Sequence, residues 1–360
     1  MPEKKIADVH LHCRFLNYEK TCAMLDSLTT LGVTDTCFQA LPYRSAGENL
    51  FILYLKMTCK EPRVRAFCGL HVTDRYAKIP PEKQVEGLLA LGSDGIKLMF
   101  SPDLERYYGR GIDDPYYDAM FTLLEERDVP VLIHLADPET FWDEDALYSD
   151  PSFPSKEQQY EEAFRMLDKH PRLRVCFAHF MFLSNFPEEA ARIMETYPNV
   201  SFDLTPGTEM YYNFDKQLET WRAFFKKYSH RLLFGTDCNT IKSCNLELEK
   251  LVFRKLSEKG TFTQRCYGRD FTVDGFGFED DVLERICYEN YFSFIGKESV
   301  PVNESLFYDC CRRIKDDLDS IPNDEEYIKG GELIPDLKND PSQRIAYDFC
   351  QMALAAKQKT

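Results

Sequence analysis

Along most of the chain, short apolar runs alternate with stretches whose apolar residues recur at helical spacing. Runs rich in β-branched and aromatic residues fall at 6–10, 34–40, 64–70, 95–99, 131–134, 174–179, 199–204 and 232–236. They are brief, as strands buried on both faces are. Pro130 stands just ahead of the fifth run, where a missing N–H does least harm to a ladder. Amphipathic stretches lie between them at 114–127, 158–169, 187–196 and 214–228. Phe186-Pro187-Glu188-Glu189 has the proline-then-acid start of a helical first turn.

The pattern predicts eight strands, each followed by a helix, the last helix running over 279–294 and closed by Gly296. That order is the α/β signature of a (β/α)8 TIM barrel. An open doubly wound sheet is the main competitor, but no G-x-G-x-x-G follows the first strand. Two stretches, 137–155 after strand five and 240–278 after strand eight, are expected as long loops on the C-terminal face, where such loops build sites. Residues 1–296 are thus expected to form the barrel. Residues 297–360 form a helical extension that caps the barrel, wraps it or makes an oligomer contact.

Composition narrows the partners. A 44% apolar fraction with 27 Phe and 20 Tyr over 360 residues supplies a large core. Acidic residues outnumber basic ones 60 to 44, a formal charge of −16 that disfavours nucleic acid and membrane surfaces. Thirteen cysteines, irregularly spaced and with no C-x-x-C pair, read as reduced thiols of a cytoplasmic protein. The start, MPEKKIADVH, passes from lysines into a strand without an apolar signal core.

The chemistry sits at strand ends. In Asp8-Val9-His10-Leu11-His12, alternation would turn Asp8, His10 and His12 to one side. Two imidazoles two residues apart on a strand can meet one ion, with Asp8 supporting them from behind. His134 ends strand five, His179 ends strand six, and Asp237 follows strand eight. Side chains at the C-terminal ends of barrel strands converge on one mouth, so these five residues are expected around one metal site. His170 and His230, between a helix and the next strand, read as ordinary helix-end residues. His71 reads as a structural histidine. Pocket candidates follow the strands: Arg14, Tyr43, Arg44, Phe141, Trp142, Glu209, Tyr211 and Tyr212. Aromatic walls with a guanidinium would suit an unsaturated or aromatic carboxylate.

Taken together, Asp8-x-His10-x-His12, Gly95-Ile96-Lys97-Leu98, His134, His179, Phe234-Gly235-Thr236-Asp237, and Glu289-Asn290 with Phe294-Ile295-Gly296 resemble the amidohydrolase superfamily. The likeness, from about residue 5 to 296, is nearer to the amidohydrolase-related branch that includes aminocarboxymuconate-semialdehyde decarboxylase-like proteins. The resemblance implies one divalent ion, zinc with manganese or iron as alternatives, held by His10, His12, His134 and Asp237. It implies that Asp237 takes a proton from an activated water and that His179 orients water or substrate. Lys97 is read as a non-ligand that binds a substrate carboxylate or salt-bridges an acidic neighbour. A second metal bridged by carboxylated Lys97 is the alternative. The resemblance further implies a homo-oligomer, a dimer.

Three functions fit these residues. The first is a hydrolase that activates water against an amide, ester or lactone of a small molecule. The second is a decarboxylase of the aminocarboxymuconate-semialdehyde type. The third is a metal-binding barrel without catalysis.

Overall fold

In the computed structural model, the described residues are 4–41, 47–71, 78–207, 209–240, 245–321, 327–329, 332–334, 338 and 340–359. Strands β1 (Ile6–His12), β2 (Val33–Gln39), β3 (Arg63–Gly69), β4 (Gly95–Phe100), β5 (Val131–Leu135), β6 (Val175–Phe177), β7 (Val200–Asp203) and β8 (Leu232–Leu233) pair in chain order. Every neighbouring pair is parallel. A short β9 (Cys238–Asn239) pairs with β1, also parallel. Strands β8 and β9 are two halves of one eighth segment, the first bonded to β7 and the second to β1. Between them the Val9 N–H donates to the Phe234 carbonyl and the Asp237 N–H to the His10 carbonyl. The sheet therefore returns to its first strand and closes as a (β/α)8 TIM barrel.

Two cores follow from the closure. Ala7, Cys37, Phe67, Leu132, Cys176 and Leu233, from six strands, pack with one another and with Tyr291, Phe294 and Ile295. Side chains of so many strands meet only inside the barrel. The interior is so full at Gly95 that a Cβ there would stand 2.5 Å from the Phe67 ring and 2.6 Å from the Pro130 carbonyl oxygen. The second core lies between the strands and the outer helices.

The helix expected as the eighth of the outer ring, 279–294, has another job. It runs as Asp280–Glu284, a π-helical turn Arg285–Glu289 and Asn290–Ile295. Its Tyr291, Phe294 and Ile295 plug the barrel's N-terminal end, and the Asn290 amide donates to the Ser229 and Leu232 carbonyls at 2.6 and 2.7 Å. The place beside helix Tyr18–Thr29 belongs instead to Asn245–Ser257. That helix lies inside the 240–278 stretch expected to be loop. Leu248, Leu251, Val252 and Leu256 form its buried stripe at helical spacing, followed by an antiparallel hairpin of β10 (Lys259–Cys266) and β11 (Arg269–Phe276). The 214–228 stretch is likewise two helices, Met210–Lys216 and Leu218–Tyr228.

Beyond Gly296, helices Glu304–Ser320 and Pro341–Lys357 pack on each other and on helix Glu48–Thr58 of the barrel. Tyr54 meets Phe307 and Phe349 there, with ring centroids 6.2 and 5.8 Å apart. Among the described residues no helix is long and apolar enough to cross a membrane.

Candidate metal centre

Strand β1 carries the first two histidines, but not by simple alternation. Ala7 and Val9 face the barrel interior, which turns Asp8, between them, to the other side. The β1–β2 register then shifts between Asp8 and Leu11. This irregularity frees His10 and His12 from Asp8's face. Asp8 is bonded to the strand itself: it accepts the His10 backbone N–H at 2.8 Å and the Thr236 hydroxyl at 2.5 Å. Complete burial pushes its carboxyl up to about 7. Asp8 therefore braces the His10 backbone and Thr236, which flank the site from β1 and the end of β8.

The imidazoles are oriented from behind. His10 donates from Nδ1 to the Asp203 carboxylate at 2.7 Å, with the Thr205 hydroxyl 3.2 Å away. His12 donates from Nδ1 to the Gln39 carbonyl at 2.6 Å. The two Nε2 atoms face each other 3.0 Å apart, turned away from those acceptors. The Asp237 carboxylate lies 3.5 Å from His12 Nε2, and the three ligand atoms stand within 4.8 Å of one another. Two atoms each about 2.1 Å from one ion stand about 3.0–3.4 Å apart at octahedral to tetrahedral angles. The donor set and its spacing fit a divalent ion.

His134 and His179 form the other side of the cluster. Their ring centroids are 5.0 Å apart, and His179 lies 5.4 Å from His10. His134 is not in the tight His10–His12–Asp237 group. Its buried Nε2 makes no hydrogen bond, although the Asp137 carboxylate is 3.4 Å away. His179 does not end a strand as expected. Strand β6 stops at Phe177, and His179, Phe180, Met181 and Phe182 follow with φ of 51–55°, a left-handed turn. The His179 N–H donates to Asp203, and its buried Nδ1 has no hydrogen-bond partner. Burial, with His134 and His10 beside it, pushes its imidazole down to about 3, so it is neutral.

Lys97, on β4, is buried, and its Nζ has no hydrogen-bond partner among the described residues. Burial brings the ammonium down to about 8 against the pull of Asp203 and Asp237. It also lines a small pocket walled by Leu41, Leu70, Met99, Phe100 and Arg110.

The other pocket candidates are more scattered. Arg14 is half-buried; its backbone N–H donates to the Thr240 hydroxyl, its carbonyl accepts from that hydroxyl, and its Nε makes no hydrogen bond among the described residues. The Trp142 indole donates to the Pro154 carbonyl and its ring packs on Tyr148, so it serves its own loop. Glu209 occupies the N-cap position of helix Met210–Lys216 without a side-chain capping bond. Tyr43 and Arg44 lie outside the described residues.

Two carboxylates were not anticipated. Asp203, fully buried at the end of β7, holds His10 through one oxygen and takes the His179 and Thr205 N–H groups on the other at 2.8 and 3.1 Å. Asp137 follows β5 and accepts the Tyr148 hydroxyl at 2.7 Å. The strand-end rule that singled out Asp237 applies equally to Asp203.

A family profile described as Amidohydrolase matches residues 33–290. Among curated proteins, none matches the chain. Solved structures share the fold. An uncharacterised TIM-barrel protein from Bordetella bronchiseptica superposes with a TM-score of 0.55 at 16% identity, over 81% of this chain and 100% of the other. The 2,6-dihydroxybenzoate decarboxylase from Rhizobium gives 0.51 at 15%, covering 81% and 98%. A manganese complex of 5-carboxyvanillate decarboxylase from Novosphingobium aromaticivorans gives 0.52 at 11%, covering 82% and 96%.

Proposed function

Because the chain belongs to the amidohydrolase family, we propose that it is a metal-dependent enzyme that adds water across an amide, ester or lactone bond of a small carboxylate-bearing substrate. The observation that carries this reading is the approach of His10 Nε2 and His12 Nε2 to 3.0 Å, with both Nδ1 atoms held from behind and the Asp237 carboxylate within 4.8 Å of them. Two imidazole nitrogens and a carboxylate gathered so closely suit a shared cation. A divalent ion held by His10, His12 and Asp237, with His134 beside them, would acidify water and polarise a carbonyl.

The chain's own groups divide the remaining work. Asp237 is the most exposed member of its group, with 27% of its side chain open, and is the base at the mouth. His179, kept neutral, presents an unpartnered Nδ1 to the reacting group. Lys97 offers a buried ammonium to a substrate carboxylate, beside a pocket wall of Leu41, Leu70, Met99 and Phe100.

Lys97 also supports a second reading, loss of carbon dioxide from an unsaturated or aromatic carboxylate. An unpaired buried cation beside the metal group suits a reaction whose substrate carries its charge at the reacting carbon. Two neighbouring folds in solved structures are decarboxylases. Purified protein loaded in turn with zinc and manganese should be offered ester, lactone and amide panels with proton release as readout, and a carboxylate panel with carbon dioxide as readout. Turnover that requires the metal and disappears in His10→Ala supports metal-dependent catalysis. Absence of turnover on every panel by metal-loaded protein would leave the barrel a metal binder and refute the enzyme reading.

A further inference from the structure

The metal centre has more carboxylate than the three-residue group accounts for. Asp137 lies three residues beyond His134, on the first turn of the 137–155 loop. Ala136, between them, has a φ of 59°, and this left-handed residue bends the chain back at the end of β5. The bend brings Asp137 Oδ1 to 3.4 Å from His134 Nε2. That separation is too long for a hydrogen bond of good geometry and matches the spacing of two atoms bound to one ion.

The other carboxylate oxygen is already occupied. Oδ2 accepts the Tyr148 hydroxyl at 2.7 Å, which fixes the carboxylate plane and leaves Oδ1 turned toward the histidine. Tyr148 is itself buried and held by packing on Trp142 and Phe153, with ring centroids 5.0 Å from each. A carboxylate oriented by a rigid donor beside a bare imidazole nitrogen is built as a ligand is built.

We propose that Asp137 is a further ligand of the metal centre, joining His134, and that this second carboxylate tunes the centre toward a harder, more highly coordinated ion such as Mn²⁺ over Zn²⁺. The proposal rests on the metal-dependent reading above. With His134 and Asp137 drawn in beside His10, His12 and Asp237, an ion would have three imidazoles and two carboxylates, five protein donors, more than a tetrahedral zinc site uses. Carboxylate oxygens favour manganese relative to imidazole nitrogens.

The test is calorimetric titration of metal-free protein with MnCl₂ and with ZnCl₂, together with metal stoichiometry and the electron paramagnetic resonance spectrum of bound Mn²⁺. Asp137→Asn should weaken Mn²⁺ binding at least tenfold, weaken Zn²⁺ binding less than threefold and change the manganese spectrum. Tyr148→Phe keeps the carboxylate and removes only its orienting donor, so it should shift the same selectivity by a smaller factor. It also serves if the Asn variant folds poorly. If a second ion binds per chain, Asp137→Asn should lose it. His10→Ala separates the two ideas. Loss of both metals in His10→Ala, with wild-type affinities and spectrum in Asp137→Asn and Tyr148→Phe, would overturn the Asp137 assignment and leave the metal-dependent reading standing. Wild-type protein that binds neither ion would overturn both.

Discussion

On the proposed metal-dependent reading, Asp203 holds His10 in the tautomer that can bind metal, and the two obvious substitutions there should rank against intuition. In the native site, Asp203 Oδ2 accepts the His10 Nδ1–H at 2.7 Å, while Oδ1 accepts the N–H groups of His179 and Thr205. Asp203→Asn keeps the shape. Its carbonyl oxygen can satisfy the two backbone donors, but its NH₂ then faces His10 Nδ1. The imidazole must present a lone pair to that NH₂, which moves its proton to Nε2. The proton then occupies the lone pair that faces His12 Nε2. Asp203→Ala leaves the tautomer free, with the Thr205 hydroxyl 3.2 Å away as a replacement acceptor. Loss of an orienting carboxylate weakens metal binding about 10–100-fold, about 1.4–2.7 kcal/mol. The alanine variant should fall near the lower end and the asparagine variant at or beyond the upper end. Alanine pays in the fold instead, because two buried N–H groups lose their acceptor at a cost of about 1–3 kcal/mol each. Zinc titration by calorimetry reads the affinity, ¹⁵N shifts of the imidazoles read the tautomer, and thermal melts of metal-free protein read the fold. Asparagine binding zinc as tightly as wild type, or more tightly than alanine, would refute the tautomer argument.

Other changes probe separate parts of the molecule. His134→Ala should lose metal and turnover together, whereas His179→Asn should keep its metal content and lose about 10²–10⁴-fold in turnover, checked by metal analysis beside a rate assay. Trp221→Ala empties a fully buried site among Phe180, Phe214 and Phe224. It should cost about 3–5 kcal/mol in urea unfolding while leaving metal affinity unchanged. Glu48 is buried, and burial raises its carboxyl to about 8 from an unfolded value near 4.5. The stability this group provides is therefore complete below pH 4.5 and declines by about 1.4 kcal/mol per pH unit until pH 8. Glu48→Gln should remove that slope, so the variant gains on wild type as pH rises from 5 to 8; parallel melting curves across that range would contradict the assignment.

What the sequence made legible follows from which physical rule governs each part. Strand order could be read because buried parallel strands are short apolar runs, and the residues at their ends converge by topology alone. That is why His10, His12 and Asp237 could be grouped before any coordinate was known. Asp8 could not be placed the same way, because alternation assumes a regular strand and β1 shifts register between Asp8 and Leu11. The eighth outer helix was misplaced for a different reason. Both 245–257 and 279–294 carry apolar stripes, and only packing distinguishes a helix that flanks the barrel from one that plugs its end. Asp203 was within reach of the strand-end rule. Its role, however, depends on a hydrogen bond spanning 193 residues of chain, which no local pattern encodes.

Backbone handedness is the deeper part that residue patterns do not carry, and it is concentrated at this site. Ala136, His179 and Asp237 all have φ between 54 and 59°, at the ends of β5, β6 and β8. None is glycine, and such residues cost on the order of 1–3 kcal/mol each unless their surroundings fix them. The surroundings do so with the bonds that also build the centre. Asp237 is held by its N–H to the His10 carbonyl, and His179 by its N–H to Asp203, the carboxylate that orients His10. The strained turns and the ligand tautomers thus share their supports. A strand that simply continued would carry His179 and Asp237 along its own direction, whereas the left-handed residues turn each strand end over the barrel mouth. Strain and the gathering of these side chains then share one support. The ends of β5, β6 and β8 leave regular β geometry where their residues gather near His10 and His12, and the buried carboxylate of Asp203 bonds to two of these residues, His10 and His179.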